Sequence, residues 1–495
     1  MSDAPTPDKT PTLLPPVWWR WLLLGLYAVA QIVYITATPL QPIVLPDNVP
    51  PAQAEVPLLV GLGPDEKEHF LYIVSLAEQG SLPAQAPRFR SRPDQYVSYE
   101  MQHPPLFYVL AVPFYKLLGG RASSVVWLGL RGLCALLGAL AALLAARAAQ
   151  VAFPNRPLVT WGALPLALFL PTFGHTMGCL SNEPLASLIG AALWLQTVRL
   201  LTGNIRLDVR AAAVLGVLLG LGALTRLTTL VWLPGVAAAL LLLLRRVSPE
   251  TNRVAILLAF AVPFLLLWAP WLVYLQSHFG TIAFRSHNRP LLENITLAEY
   301  LQNPNARLFP KNVPRGVVMP PSYLLLWGVS TAIVPYWLIL FYLPGGPAFG
   351  ALWQTLLLLI VVAVCLVLFL HSSRSRRGLT PQTDEPGSRA VLWAAGVAVS
   401  LTAFGLLYQI FRVDWSMTNY GGRYFVSVWP AVVLLFLFAL STMRGLSVSP
   451  VRQKRAVLIG AAVLFLFDLY IGGLIHQFYT DNPRQEAVQR SSEVE

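Results

Sequence analysis

Charged residues are scarce in this chain. Asp, Glu, Lys and Arg make up 12% of its 495 residues, whereas 56% are hydrophobic and the mean hydropathy is +0.59. An average soluble domain carries about 25% charged residues, so this composition excludes an ordinary water-soluble protein. Several apolar runs reach the roughly 20 residues that a helix needs to cross a bilayer. Because lipid offers backbone groups no hydrogen-bond partners, we expect these runs to be helices.

Cysteine and nucleotide-binding motifs are also lacking. The three cysteines, Cys134, Cys179 and Cys365, lie within or at the ends of apolar stretches without metal-ligand spacing, so the sequence suggests neither a disulfide framework nor a zinc site. The sequence has no Gly-rich phosphate loop and no Asp-x-Asp motif, so a soluble nucleotide-sugar donor has no evident binding site. It has no long internal repeat, which disfavours a secondary transporter.

The formal net charge of +12 comes from basic residues that gather in short loops between apolar runs. This is the pattern of cytoplasmic loops in membrane proteins, so the charge indicates topology and no nucleic-acid partner. The pattern predicts a cytoplasmic leader (1–17), a first transmembrane helix (18–37), an extracytoplasmic loop that carries the chemistry (38–103), a transmembrane bundle (104–275), a second extracytoplasmic loop (276–321), a C-terminal transmembrane region (322–476) and an extracytoplasmic tail (477–495).

We therefore predict an all-α polytopic membrane protein with about 11–13 transmembrane helices. Two apolar runs do not fit a plain span. The run 104–118 is short and contains Pro113 and Lys116, and the run 323–343 contains Pro335. Whether each is a full span or a re-entrant or broken segment stays open at this stage.

The first outer loop holds the most unusual polar cluster. Residues 64–80 predict an amphipathic helix that lies along the bilayer surface, with Pro64 near its start. Its apolar face is formed by Phe70, Ile73, Val74 and Ala77. Asp65, Glu66 and His69 share its first turn, where free amides also favour a phosphate. The simpler alternative is that acids in a first turn only complement the helix dipole.

A second motif, Tyr99-Glu100-Met101-Gln102-His103-Pro104-Pro105-Leu106, closes the same loop. The pair Asp-Glu-x-x-His-Phe and His-Pro-Pro-Leu resembles the protein O-mannosyltransferases and related bacterial enzymes of the GT-C superfamily. The resemblance covers mainly the first 230 residues, with a Gly-Arg-Tyr near the end. The chain departs from that family in lacking its large inserted soluble domain, so a protein acceptor is not implied. A lipid, a glycan and a protein all remain open as acceptors.

The resemblance implies a GT-C-type bundle in which a surface helix covers a cavity. It also implies transfer of a sugar from a polyprenyl-phosphate-linked donor on the extracytoplasmic face. By position in the motifs, Asp65 becomes the general base and Glu66 positions the acceptor or a metal. A divalent ion such as Mg²⁺ or Mn²⁺, held by Asp65 and Glu66, is compatible with this chemistry. His69, Glu100 and His103 would support these two carboxylates or bind the acceptor.

Later polar residues complete the candidate site. Asn182 and Glu183 are candidate cavity residues, although a helix cap and a first-turn acid explain them equally well. Arg131, Arg226 and Arg423 are candidates for holding the donor phosphate. The alternative for Arg226 and Arg423 is an interfacial cation that extends to the headgroups. Arg131 lies within an apolar run, where a charge usually faces a cavity or a partner.

The charge pattern places the polar candidates on one face of the membrane. The sequence therefore predicts a multi-pass glycosyltransferase of the bacterial cytoplasmic membrane, with its active site outside and membrane lipids around it. The alternative is a transporter or lipid flippase, because Asp468 lies about midway along the last apolar run. A third possibility is a non-catalytic membrane scaffold, in which Asp65, Glu66 and His69 would be dispensable.

Overall fold

The computed structural model of the chain describes residues 14–43, 58–61, 66–82, 103–121, 123–246, 248, 252–280, 282, 387–412, 427–442 and 449–481. Within these ranges the protein is almost entirely helical, which confirms the predicted class. The described part also contains one two-stranded antiparallel sheet that the sequence did not predict.

The helices follow one another in chain order. They are α1 (Val17–Ala37), α2 (Glu66–Gln79), α3 (Leu106–Leu117), α4 (Ser124–Ala152), α5 (Pro157–Leu168), α6 (Pro171–Gly178), α7 (Glu183–Leu201), α8 (Val209–Thr225), α9 (Trp232–Leu244), α10 (Arg253–Phe279), α11 (Ser388–Arg412), α12 (Trp429–Thr442) and α13 (Pro450–Asp481). A 3₁₀ turn, Leu227–Val231, connects α8 to α9, and the strands are β1 (Leu40–Ile43) and β2 (Leu58–Gly61).

Six helical segments of the described chain are long and apolar enough to cross a membrane. They are α1, α4, α7, the 3₁₀ turn continued by α9, α10, and α13 as far as Gln477. The bent pair α5 and α6 brings the number to seven if it forms one span. The protein is thus an integral multi-pass membrane protein. The expected total of 11–13 also counts the run 323–343, which lies outside the described residues.

Proline explains the bend between α5 and α6. The two helices meet at 47° across Phe169 and Leu170. A residue before proline is pushed away from the helical region, and Leu170 accordingly has ψ 122° before Pro171. Both helices are largely buried, because α4 and α13 pack against each of them. A short connection, 179–182, then joins α6 to α7.

Close helix packing holds the bundle together. The interface of α8 and α10 depends on Gly216, where an added Cβ would overlap the carbonyl oxygen of Phe260. Small residues at such a crossing let two backbones approach and gain dispersion contacts that lipid cannot replace. The short run 104–118 forms α3, a helix of 12 residues. That length spans only about 18 Å, too little for a full crossing.

The helix predicted at 64–80 is α2, and it packs onto the protein. Its predicted apolar face is confirmed, since Phe70 and Ile73 are fully buried. Phe70 stacks on Trp127 of α4 with ring centroids 4.4 Å apart. Tyr72, outside that predicted face, is buried as well and stacks on Tyr108 of α3 at 3.9 Å. The start of α2 is therefore covered on more than one side.

Candidate active site

A buried ion pair fixes the first residue of α2. Arg131 of α4 and Glu66 are both 0% exposed. The Nε group of Arg131 donates to Oε1 of Glu66 at 2.9 Å, and Nη2 donates to Oε2 at 2.6 Å. Two parallel N–H bonds of this kind are the strong, geometrically specific form of an arginine–carboxylate contact. They join residues that lie 65 positions apart in the chain.

The same guanidinium also closes the end of α1. Its Nη1 donates to the carbonyl of Ile35 at 2.9 Å and to the carbonyl of Thr38 at 2.8 Å. The last carbonyls of a helix have no internal partner and form the negative end of its dipole, so a cation is favoured there. The Cζ atom of Arg131 also lies 5.7 Å from the ring centroid of Trp127. Arg131 therefore ties α1, α2 and α4 to one another.

The connection 179–182 meets this pair from the other side. Oε1 of Glu66 accepts a hydrogen bond of 2.6 Å from the backbone N–H of Leu180. One residue later, the carbonyl of Ser181 accepts from the Cys134 thiol at 3.8 Å. The α6–α7 connection is thus held to α2 and α4 by main-chain groups that would otherwise be buried without partners.

A second ion pair lies at the end of this connection. Nη1 of Arg226 is 2.6 Å from Oδ1 of Asn182, to which it donates, and 2.7 Å from Oε1 of Glu183. Nδ2 of Asn182 donates to the carbonyl of Thr225 at 3.1 Å. Asn182 occupies the N-cap position of α7, but its side chain makes no capping hydrogen bond. The capping alternative for Asn182 is therefore wrong, and its amide serves the C-terminal end of α8 instead.

The two histidines predicted for the site, His69 and His103, lie at the contact between α2 and α3. His69 is 1% exposed, and its Nδ1 is 2.8 Å from the Tyr108 hydroxyl. The Tyr72 hydroxyl donates to the carbonyl of His103 at 3.4 Å. His103 is half-buried just before Pro104 and the start of α3. Both predicted histidines thus lie where the first outer loop packs onto the bundle.

These contacts gather at one end of the bundle. They involve the C-terminal ends of α1 and α8 and the N-terminal ends of α2, α4 and α7. Each of the two ion pairs is neutral overall, which limits the cost of burying its charges. The residue Arg226 retains 8% exposure, whereas Arg131 and Glu66 retain none. Arg226 is therefore the cation of this group with a solvent-accessible part.

Comparison with known proteins gives low-scoring structural likenesses only. No protein-family model matches the chain, and no curated protein matches it. Among solved structures, the apo oligosaccharyltransferase of Archaeoglobus fulgidus matches with a TM-score of 0.47 and 14% identity, over 93% of this chain and 56% of that protein. The ArnT structure from Cupriavidus metallidurans bound to undecaprenyl phosphate matches with a TM-score of 0.40 and 15% identity, over 93% and 77%.

A third match is the archaeal enzyme AglB of Archaeoglobus fulgidus in complex with an inhibitory peptide and a dolichol-phosphate, with a TM-score of 0.46 and 14% identity. It covers 93% of this chain and 56% of that protein. The present chain thus corresponds to little more than half of the archaeal oligosaccharyltransferase. At these scores the likenesses establish neither a family nor an activity.

The structure brings five of the predicted site residues together around the connection 179–182. These are Glu66, Arg131, Asn182, Glu183 and Arg226. The predicted residues Asp65, Glu100 and Arg423 lie outside the described ranges. Direct contact of Glu66 with an acceptor would require its ion pair to open.

Arg131 is placed differently from the expectation that it holds a donor phosphate. It already donates four hydrogen bonds to Glu66, Ile35 and Thr38. A phosphate could reach this guanidinium only by displacing a carboxylate or a helix-terminal carbonyl. The geometry thus favours a positioning role for Arg131.

The expected metal finds little support at Glu66. A metal ion there would have to displace the guanidinium that already neutralises the carboxylate. Within the described residues, no group of three His, Cys, Asp or Glu side chains is placed to hold a metal ion. Asp65, the other expected ligand, lies outside the described residues, so the metal stays a prediction.

Two contributors were missed by sequence reasoning. Tyr108 contacts His69 and stacks on Tyr72, and the backbone N–H of Leu180 donates to Glu66. A main-chain donor has no sequence signature. Tyr108 belongs to the first turn of an apolar helix directly after His103-Pro104-Pro105, so its closeness to the second motif was the available signal.

Proposed function

We propose that this protein is a membrane glycosyltransferase of the GT-C type, which transfers a sugar from a polyprenyl-phosphate-linked donor to an acceptor hydroxyl. One observation carries the proposal. Five polar residues, selected from the sequence for this chemistry, meet around the connection 179–182, where α2, α4, the start of α7 and the C-terminal end of α8 come together. Polar side chains inside a membrane bundle are costly, so such a convergence indicates a functional site.

The charge distribution supports an extracytoplasmic site. The ends of α1, α4, α7 and α8 opposite the site carry arginines, among them Arg20, Arg147, Arg199 and Arg210. Basic residues concentrate on the cytoplasmic side of membrane proteins. The site end, where the ion pairs lie, is then the outer end. A lipid-linked donor flipped to that leaflet would be within reach of it.

In the proposed reaction, Asp65 takes the proton of the acceptor hydroxyl as its oxygen attacks the anomeric carbon of the sugar. The new carbon–oxygen bond forms as the bond to the polyprenyl phosphate breaks, and the phosphate leaves with the bonding electron pair. Asp65 precedes Glu66 directly. Because Glu66 is held by Arg131 and by the N–H of Leu180, the chain next to Asp65 is anchored to the bundle.

The leaving phosphate requires a cation. We assign this role to Arg226, whose guanidinium is oriented by Asn182 and Glu183 and retains accessible surface. A pre-oriented guanidinium stabilises charge that develops on phosphate oxygens without reorganising in the reaction. Arg423 remains a second candidate for the same phosphate, and Glu100 for the acceptor. Arg131 acts through Glu66 as a positioning residue.

The divalent-metal expectation is separately testable. If Asp65 contributes to a Mg²⁺ or Mn²⁺ site, chelation with EDTA abolishes donor turnover and either ion restores it. Turnover that is unchanged after exhaustive chelation removes the metal from the proposal and leaves the phosphate to the arginines.

Donor profiling tests the proposed function itself. The full chain in lipid nanodiscs is incubated with a panel of sugars linked to polyprenyl phosphates of different length, and the release of free polyprenyl phosphate is measured. The acceptor need not be known for this measurement, because a membrane extract supplies it. We expect turnover of at least one donor and none of nucleotide sugars. Inertness toward the whole panel, with active extract present, contradicts the proposal.

The transporter alternative depends on Asp468. This residue is fully buried in α13, and its Oδ1 accepts a hydrogen bond of 2.5 Å from the Tyr34 hydroxyl of α1. The contact joins two adjacent spans next to Gly174 of α6. This is the geometry of a polar helix–helix contact, and we propose no transport function from it.

A further inference from the structure

A cavity of about 280 Å³ opens between α1, α4 and α5, at the end of the bundle that carries the basic residues. Its walls include Trp19 and Arg20 of α1, Arg147 and Gln150 of α4, and Trp161 of α5. Its volume lies near the lower limit of small-molecule pockets, which run from about 300 to 1,000 Å³. The cavity therefore fits a headgroup better than a whole lipid.

The cavity is electropositive. Arg20 and Arg147 line it, and no acidic residue of the described chain does. The Nζ atom of Lys454 lies 5.1 Å from the ring centroid of Trp161, which adds a third cation beside the wall. Cations on a membrane-facing pocket attract the anionic headgroups of the adjacent leaflet.

The N-terminus of α1 adds to the positive potential at the cavity, since Trp19 and Arg20 of its first turn line the wall. The N-terminus of α1, at Pro16, lacks a side-chain cap among the described residues. Its free amides and dipole add positive potential.

The cavity is separate from the candidate active site. Arg147 and Arg131 lie on the same helix, α4, 16 residues apart, which at 1.5 Å per residue is about 24 Å along the axis. On α1, Arg20 and Ile35 have a similar separation. The cavity and the active-site cluster therefore lie near opposite ends of the same two helices.

We propose that this cavity binds the phosphate headgroup of an anionic phospholipid. Arg20 and Arg147 pair with the phosphate, and the two tryptophan rings contact the glycerol region. Trp19 and Trp161 suit that depth, because indole rings combine an apolar body with a polar N–H at the membrane interface. The proposal is independent of the proposed sugar transfer.

Native mass spectrometry of the full chain, released from micelles that contain equal amounts of phosphatidylglycerol and phosphatidylcholine, tests the proposal. We expect one phosphatidylglycerol retained per chain in preference to phosphatidylcholine. The double variant Arg20→Gln/Arg147→Gln should weaken retention by at least about tenfold, as expected from loss of charge-assisted hydrogen bonds. The matched control is Arg210→Gln, which removes an exposed arginine of α8 outside the cavity.

One further measurement checks the result of the double variant. Arg147→Gln alone, at an exposed position, should lower retention in the same direction if the double variant does not fold. Equal retention of the two lipids, or an equal loss in Arg210→Gln, overturns the proposal. Displacement of the lipid by inorganic phosphate at comparable affinity overturns the lipid assignment, because the cavity would then recognise free phosphate.

Discussion

The pair between Arg131 and Glu66 offers the sharpest test of how the site is built. Replacement of Arg131 by Met leaves the Glu66 carboxylate fully buried without its cation. Removal of one partner of a buried ion pair typically costs about 3–5 kcal/mol. The carbonyls of Ile35 and Thr38 lose a donor in the same variant, so this range is a lower estimate. Glu66→Gln should cost a similar amount, because it leaves the guanidinium unpaired.

The double variant Glu66→Gln/Arg131→Met separates charge from packing. It carries no buried charge at this pair, and the amide introduced by Glu66→Gln keeps a carbonyl that can accept from Leu180. We expect it to be more stable than the sum of the single losses predicts, by about 0.5–3 kcal/mol, the usual coupling for residues in contact. The free energy of unfolding is measured by SDS titration in mixed micelles, followed by far-UV circular dichroism. Arg210→Met, at an exposed position of α8, is the matched control.

Donor turnover is the second quantity measured for this double-mutant cycle, which comprises wild type, the two single variants and the double variant. The double variant should regain stability without regaining full turnover, because the two-bond clamp that anchors α2 next to Asp65 is gone. A single Arg131→Met variant with unchanged stability refutes the buried pair. Strict additivity in the cycle refutes the direct contact between the two side chains.

Three further outcomes are expected. Arg226→Gln should raise the KM for the lipid-linked donor by roughly tenfold to a hundredfold, as expected for a lost charged hydrogen bond; it should also destabilise the fold, because the buried Glu183 carboxylate loses its cation. An unchanged KM of the folded variant would argue against phosphate binding there. Tyr108→Phe should cost about 1 kcal/mol, because the contact with His69 is lost, and a stability equal to wild type would contradict that hydrogen bond. Gly216→Leu should destabilise the bundle by about 1–3 kcal/mol or more through overlap with Phe260, and an unaltered SDS midpoint would mean that α8 and α10 do not meet there.

The positions of individual helices could be predicted from local patterns in the sequence. The first span was predicted at 18–37 and runs Val17–Ala37, and the helix predicted at 64–80 runs Glu66–Gln79. Hydropathy and the period of the helix carry this information within a single segment. The sequence left open whether the run 104–118 is a full span or a re-entrant segment; it forms a helix of 12 residues, shorter than the roughly 20 residues of a full crossing.

The long-range side-chain pairs could not be predicted from the sequence. Nothing local assigns Arg131 to Glu66, 65 residues away, in preference to a phosphate. Asn182 followed every local rule for a helix cap, yet its side chain pairs with Arg226, 44 residues later. A buried guanidinium competes for that amide more strongly than the helix amides do, since charged hydrogen bonds are roughly twice as strong as neutral ones. Tertiary contacts of this kind decide side-chain roles after local patterns have fixed the helices.

We propose Asp65 as the general base of a sugar transfer from a lipid-linked donor. The most direct test of this role compares Asp65→Asn with Glu78→Gln, which makes the same acid-to-amide change at an exposed position of α2. Both variants are assayed for donor turnover in nanodiscs, alongside their unfolding in SDS. We predict that Asp65→Asn loses at least about a hundredfold in turnover, in line with general-base catalysis, while it folds like wild type. Wild-type turnover in Asp65→Asn, or an equal loss in Glu78→Gln, would contradict this claim.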